Sequence, residues 1–148
     1  MKTLAFQIAT PERVVFDAKA VEAITLPTRM GEITILPDHI PLVSTLVPGE
    51  VRVKVGGQEV TMAVSGGFIE VRGNRVVVLA DTAERAEEID EARAEEARSR
   101  AHELMSRERT SEGADFAGLA GKIEKELVRL RVVRKHRSRQ APGIKFGE

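Results

Sequence analysis

Apolar and polar positions alternate with a period of two through the first half of the chain and shift to a helical period in the second. Val51-Arg52-Val53-Lys54-Val55 sets apolar against basic residues, the pattern of a strand with one face on a core and one in water. Gly56-Gly57 follows, and then the run Gln58-Glu59-Val60-Thr61-Met62-Ala63-Val64. Two such runs joined by two glycines predict a β-hairpin, because glycine supplies the positive φ that tight two-residue turns require. Gly73-Asn74 repeats the device between Phe68–Arg72 and Arg75–Ala80. Gly31 and the prolines at 27, 37, 41 and 48 cut the intervening segment into short pieces. Several short strands at close spacing, with no helix between them, predict a β-sandwich or barrel.

Near Thr82 the pattern changes. Residues 86–109 contain neither Gly nor Pro and are dominated by Ala, Glu and Arg, all good helix formers. Ile89, Ala97, Ala101, Leu104 and Met105 fall on one side at helical spacing, a stripe that is largely alanine. Thr110-Ser111-Glu112-Gly113 reads as a break, and Asp115 suits the N-cap of a second helix. In that helix Phe116, Leu119, Ile123, Leu127 and Leu130 recur every three or four residues and predict its packing seam. Gly118 and Gly121 lie inside it, each costing about 0.5–1 kcal/mol relative to alanine. A short polar connection favours an antiparallel hairpin. The predicted organisation is a β-sandwich over residues 1–84, a helical hairpin over 85–135 and a flexible basic tail over 136–148, with few core residues crossing the first boundary.

Composition removes several classes of function. The 148 residues include no cysteine, so neither a disulfide framework nor a thiolate metal site exists. There is no Trp or Tyr, and five Phe make a poor stacking platform for single-stranded nucleic acid. Apolar runs of a few residues fall far short of the roughly 20 that span a bilayer, and the N-terminus lacks the apolar stretch of a signal peptide. The expectation is a soluble protein without direct membrane insertion and without a nucleic-acid partner. Charge is zero overall but unevenly spread. Residues 1–84 carry 8 Lys/Arg against 10 Asp/Glu, residues 85–112 carry 6 against 9, and residues 113–148 carry 9 against 4. A basic end following an acidic helix predicts either that the two helices pair or that the basic end meets an acidic partner.

No residue set supports catalysis or metal binding. His39, His102 and His136 are scattered without metal-ligand spacing, and no Ser/His/Asp order emerges. Gly66-Gly67 and Gly56-Gly57 are followed by neither a helix nor a Lys-Ser/Thr pair, so they read as hairpin and bulge glycines, not as a phosphate loop. Glu87-Glu88, Asp90-Glu91 and Glu95-Glu96 are adjacent pairs on a helix, pointing in different directions toward solvent. Asp90 and Arg93, three apart on one face with Arg100 further along it, suit an ordinary ion pair worth about 0.2–0.5 kcal/mol.

The order of five pieces is more specific than any one of them. Ile24-Thr25-Leu26-Pro27 is followed by Gly31-Glu32-Ile33-Thr34-Ile35-Leu36-Pro37-Asp38-His39-Ile40-Pro41-Leu42. Leu46-Val47-Pro48-Gly49-Glu50-Val51, Ser65-Gly66-Gly67-Phe68-Ile69-Glu70-Val71 and Val77-Val78-Leu79-Ala80-Asp81-Thr82-Ala83 complete the series. From about Leu4 to about Val133 the chain resembles the epsilon subunit of bacterial F-type ATP synthases. The resemblance implies a flattened N-terminal β-sandwich and a C-terminal antiparallel helical hairpin, in a non-catalytic subunit. It implies a stalk role that couples rotor rotation to ATP synthesis, a hairpin that inhibits ATP hydrolysis, and a peripheral place at the cytoplasmic face of the bacterial plasma membrane. The implied partners are the gamma subunit, the ring of c subunits and the alpha and beta subunits of the catalytic head.

Site residues follow from the same resemblance. Glu32 and His39 match positions facing the c-ring. Ile89-Asp90-Glu91-Ala92-Arg93-Ala94 matches the I/L-D-x-x-R-A pattern that in some members belongs to a regulatory ATP site, completed by basic residues that fall at Lys125 and Arg129. The implied nucleotide set is therefore Ile89, Asp90, Arg93, Ala94, Arg100 and Arg129, with regulatory ATP as the one ligand and no other cofactor. Lysine at 125 cannot make the planar bidentate contact of arginine. Arg129, Arg131, Arg134 and Lys135 form the implied inhibitory basic face. The residues alone also allow a generic β-sandwich adaptor whose hairpin dimerises, which would co-purify with itself instead of with a gamma subunit.

Overall fold

The computed structural model describes residues 2–108 and 116–140. The expected break at Thr110–Gly113, the Asp115 cap and residues 141–148 lie outside the described residues. Nine strands come first: β1 Leu4–Ala9, β2 Val14–Thr28, β3 Gly31–Ile35, β4 Leu42–Leu46, β5 Gly49–Val55, β6 Gln58–Val64, β7 Gly67–Arg72, β8 Arg75–Ala80 and β9 Ala83–Arg85. A 3-10 turn, Ala86–Glu88, leads to α1 (Glu91–Glu108) and α2 (Phe116–Gln140).

The strands are hydrogen-bonded in the order β1-β8-β7-β4-β2-β5-β6-β9, with β3 on β2 and an added β1–β2 pairing. The 15-residue β2 therefore pairs with β1, β3, β4 and β5. A register shift between Val21 and Ala23 bends it from one layer to the other, as bulges do. The layers enclose a core built from alternate positions: Leu4, Phe6 and Ile8 of β1, Ile24 and Leu26 of β2, Val51 and Val53 of β5, Ile69 and Val71 of β7, Val76 and Val78 of β8. All of this core lies between Leu4 and Ala83. Phe6 and Phe16 meet at 5.9 Å between ring centroids, and the Arg85 guanidinium lies 5.4 Å from the Phe16 ring, tying β9 to β2.

Both glycine devices are realised. Gly56 and Gly57 take φ of 58° and 72° and close the β5–β6 hairpin with Val55 opposite Gln58, the primed-turn geometry that matches strand twist. Gly67 has φ of 133°, and a Cβ there would lie 2.1 Å from the Leu79 carbonyl oxygen, so the strand backbones approach too closely for any other residue.

Strand β6 departs from simple alternation. Thr61, Met62, Ala63 and Val64 are all buried. Met62 and Val64 face the sandwich core, and Ala63 joins a second cluster with Ala86, Ile89, Val128, Val132 and Val133. That cluster crosses the expected boundary between sandwich and hairpin, although it is made of small side chains. The two helices run antiparallel: Arg134 and Arg137 at the end of α2 pair with Glu91 at the start of α1, and His102 and Met105 of α1 lie beside Ala120 and Ile123 of α2.

Three expectations are corrected. The second helix continues to Gln140, so residues 136–140 of the expected flexible tail are helical. Arg137, Arg139 and Gln140 are good helix formers, and Lys135 and Arg139 are tied to Glu50 and Glu59 of the sandwich. The packing seam of α2 is also broader than a single stripe. Leu119 and Leu130 are buried, but Leu127 is 39% exposed, and Val128, Val132 and Val133 are buried in its place because α2 packs on a sheet as well as on a helix. On α1, Ala94 and Ala101, two turns apart, are buried, whereas Leu104 is 44% exposed.

Because the main core ends at Ala83, residues 1–84 should fold alone; circular dichroism of this fragment should show a cooperative β-type transition, and an unfolded fragment would contradict a self-sufficient sandwich. Gly67→Ala should destabilise the chain by about 3 kcal/mol or more, since the backbones must part. Gly57→Ala, whose Cβ meets nothing within 4 Å, should cost about 1–2 kcal/mol. Urea unfolding of the two variants checks the order.

Candidate functional site

The residues with functional potential fall into three places. The first is the end of the sandwich formed by the β2–β3 turn. Thr28 Oγ1 donates to the Gly31 carbonyl at 2.6 Å and accepts the Met30 amide at 3.2 Å, holding a turn that leaves Met30 96% exposed. Glu32 follows and accepts a hydrogen bond of 2.6 Å from Arg52, whose pKa is raised chiefly by that contact. Arg52 also lies 3.8 Å from Glu50, and Glu50 accepts from Lys135 of α2 at 2.7 Å. An unbroken chain of ion pairs thus runs from Glu32 to the second helix.

His39 is elsewhere. Its ring Nδ1 lies 2.7 Å from the Ile40 carbonyl, in the loop between β3 and β4. The preceding Asp38 has φ of 63° and is held by the Lys2 ammonium at 2.6 Å and the Asn74 side chain at the β7–β8 turn. Lys2 is the main cause that keeps the Asp38 carboxyl below its ordinary range. Ile33, Thr34 and Ile35 of β3, about 10 Å of strand, and the first part of the following loop separate Glu32 from His39. The structure does not bring these two together.

The second place is a sheet face that the residue pattern did not single out. Ile40 and Val43 are 74% and 73% exposed, and Phe68 and Leu79 are 58% and 60% exposed. Phe68 is in register with Thr45 on β4 and with Leu79 on β8, and Val43 with Glu70 on β7. Val43, Phe68 and Leu79 therefore share the outer face of β4, β7 and β8, with Thr45 and Glu70 among them, and Ile40 lies in the loop just before β4. Contiguous exposed apolar surface of this kind marks a protein interface. The signal in the sequence is the unbroken run Val76-Val77-Val78-Leu79-Ala80, apolar on both faces of β8, where a solvated strand would alternate.

The third place is the hairpin. Ile89 is buried in the cluster beneath α2, and Ala94 is fully buried at the start of α1. Asp90 accepts a hydrogen bond from the Arg93 amide at 3.1 Å, and the Ala94 amide donates to the Asp90 carbonyl at 3.0 Å. Asp90 is thus the N-cap of α1, and the Ile-Asp-x-x-Arg-Ala run has a complete structural explanation as a helix start. The Arg93 side chain is 84% exposed, 3.9 Å from Asp90, and Arg100 pairs with Glu96 one turn back. Arg129 is engaged differently. It donates to both oxygens of Glu84, at 2.6 and 3.2 Å, and to Glu126 at 2.6 Å. Burial opposes its charge, but the hydrogen bonds of Glu84 and Glu126 outweigh burial and leave its pKa raised. A nucleotide could reach this guanidinium only by displacing two carboxylates. Of the expected basic face, Arg131 is exposed, while Arg134 and Lys135 are paired to Glu91, Glu95 and Glu50. The carboxylate partners Glu50, Glu59, Glu84 and Glu126 were not legible as sites, since nothing in the linear pattern places them under a helix.

Among the described residues no cluster of three His, Cys, Asp or Glu could hold a metal ion, and no helix is long and apolar enough to cross a membrane.

Comparison with known proteins supplies the family. Residues 3–86 match the family described as the ATP synthase delta/epsilon chain β-sandwich domain. The ATP synthase epsilon chain of Dehalococcoides mccartyi is 46% identical over 137 residues, covering 93% of this chain and 96% of that one. The epsilon chain of Chloroflexus aggregans is 48% identical over 131 residues, covering 88% of this chain and 92% of its own. Among solved structures, a chain of the Euglena gracilis mitochondrial ATP synthase, in its OSCP/F1/c-ring assembly, superposes with a TM-score of 0.69 at 25% identity, covering 90% of this chain and 82% of that one. A chain of the Tetrahymena thermophila central stalk and c-ring shares the fold with a TM-score of 0.56 at 13% identity, covering 91% of this chain and 96% of its own. The likeness runs through the sandwich and on into the helices, over nearly the full length of the bacterial relatives, and this chain belongs to the ATP synthase epsilon-chain family.

Proposed function

We propose that this chain is the non-catalytic epsilon subunit in the central stalk of a bacterial F-type ATP synthase, peripheral to the cytoplasmic face of the plasma membrane. Its sandwich transmits rotor rotation to the alpha and beta subunits of the catalytic head through the gamma subunit, and its helices restrain ATP hydrolysis. The observation that carries this reading is the exposed apolar face of β4, β7 and β8. A subunit that passes torque between two partners needs a rigid body with two separated contact surfaces. The sandwich offers an apolar face to one partner and, at its β2–β3 end, the exposed Met30 and charged Glu32 to another. Gamma suits the apolar face, which would be buried permanently in the stalk. The c-ring suits the β2–β3 end, where a polar contact tolerates assembly against a soluble loop. Glu32 is paired with Arg52, but half-exposed pairs of this type contribute at most about 1 kcal/mol, so the carboxylate can exchange partners.

The regulatory part of the proposal rests on α2. In the compact arrangement its cations Arg129, Arg134, Lys135, Arg137 and Arg139 are neutralised within the chain. An extended hairpin would present the same cations to acidic surface of the catalytic subunits, adding electrostatic complementarity to the brake. The alternative of a dimerising adaptor is disfavoured because α2 buries Val128, Val132 and Val133 against its own sheet.

Phe68→Asp with Leu79→Asp should leave the isolated chain folded, since both side chains are exposed, yet weaken gamma binding by about 30-fold or more, as loss of an interface anchor does. Calorimetric titration with gamma measures it, and unchanged affinity would remove the assignment of this face. Truncation after Glu84 should raise ATP hydrolysis by the reconstituted complex; equal rates with and without residues 85–148 would leave the hairpin without a braking role.

A further inference from the structure

The face of the sheet beneath α2 has a pattern that the sandwich core does not require. Glu50 on β5 is in register with Ala63 on β6, and Ala63 with Glu84 on β9. Directly opposed residues point to the same side, so this row presents a small floor between two carboxylates. Two pleats along β6, Glu59 projects to that side as well. The matching surface of α2 is as regular. Arg129, Val132, Lys135 and Arg139 follow at intervals of three, three and four residues and form one stripe. Val132 is fully buried in the cluster with Ala63. Arg129 bonds Glu84 at 2.6 Å, Lys135 bonds Glu50 at 2.7 Å and Arg139 bonds Glu59. The helix therefore crosses β9, β6 and β5 with a cation set on an acid of each strand.

The apolar part of this contact is thin. It comprises two alanines, one isoleucine and three valines, against a main core of twenty buried side chains. The ion pairs add to this small contact and, unlike it, are weakened by salt.

We propose that Glu50, Glu59 and Glu84 form an acidic seat that latches α2 onto the sandwich, so that the compact hairpin is an ionically held state that opens as a unit without unfolding the sheet. The inference rests on the regulatory reading above and supplies its molecular catch. An acidic surface on a partner competes with the seat for the same three side chains, and the hairpin is released when that surface wins. Glu126 adds specificity at one end: it is 8% exposed and fixes the Arg129 guanidinium from its own helix, so the latch needs no bound anion.

The chain contains no cysteine, which gives a direct test in the isolated full-length protein. In the Val132→Cys variant the single thiol lies between helix and sheet, and its rate of labelling by a soluble maleimide reports the undocked fraction. In a separate Val78→Cys variant, the thiol is in the sandwich core and reports opening of the sheet. Raising salt from about 0.1 M to about 1 M shortens the screening length from about 10 Å to about 3 Å. Labelling at position 132 should then rise about tenfold, what two or three partly exposed ion pairs contribute together, while labelling at position 78 stays constant. Glu50→Gln with Glu59→Gln and Glu84→Gln should raise the rate at position 132 by a similar factor at low salt. Lys135→Gln with Arg139→Gln, which leaves the sheet intact, should do the same. A rate at position 132 indifferent to salt and to both charge sets would overturn the latch, and equal acceleration at positions 132 and 78 would overturn opening as a unit. Because these readouts need no partner, a latch that behaves as expected together with hydrolysis unaffected by truncation would reject the brake alone.

Discussion

Strand β6 buries both of its faces, and most of the architecture follows from that requirement. One face, Met62 and Val64, completes the sandwich core; the other, Thr61 and Ala63, needs a cover because its neighbours would otherwise leave small side chains and backbone open to water. The cover is α2, whose valines meet Ala63 and whose cations meet the flanking carboxylates. Ala63 has to be small for a helix to lie close to a sheet, and Ala94 and Ala101 have to be small for α1 to lie close to α2. Close approach replaces bulk here. Small side chains bury little apolar area each, so the helices are held less firmly than the strands, and the difference separates a permanent body from an element that can be exchanged.

The charges are arranged around the same contact. A basic segment with net +5 follows an acidic one in the sequence, and in the structure the excess is absorbed partly by α1, through Glu91 and Glu95, and partly by the sheet, through Glu50, Glu59 and Glu84. The Arg139 hydrogen bond is the main cause that holds the Glu59 carboxyl below its ordinary range, as Arg13 does for Glu88 near the start of the hairpin. The path Glu32, Arg52, Glu50, Lys135 joins the end of the sandwich that faces outward at Met30 to the seat of α2. The β2–β3 turn and the seat of α2 are thus connected by ion pairs that can exchange partners.

The reading of the fold from the residues succeeded where local chemistry decides. Gly56-Gly57 and Gly73-Asn74 became two-residue turns because their backbone demands are met inside four residues of sequence. The break from strand to helix near residue 85 was legible from composition alone. The site residues were less legible, because their roles depend on neighbours distant in the chain. The run from Ile89 to Ala94 was matched to a nucleotide pattern, yet its members cap and pack a helix, and Arg129 belongs to Glu84, 45 residues earlier. Glu32 and His39 were grouped by the family resemblance, and each has its own partners, Glu32 with Arg52 and His39 in the loop after β3.

What the sequence by itself determined is the order of short strands, the turn positions, the change to two helices and the family to which the chain belongs. Each of these is written in nearest-neighbour preferences and periodicity, which act over a few residues at a time. Only the tertiary structure decided which face of α2 is buried, that the helix continues to Gln140, and that three carboxylates from three strands sit beneath its cations. It also decided that the outer side of β4, β7 and β8 is an apolar surface, since Phe68 and Leu79 become neighbours only through strand register. Register and helix docking are long-range pairings, selected by how whole faces fit together, and no local stretch of sequence contains that fit.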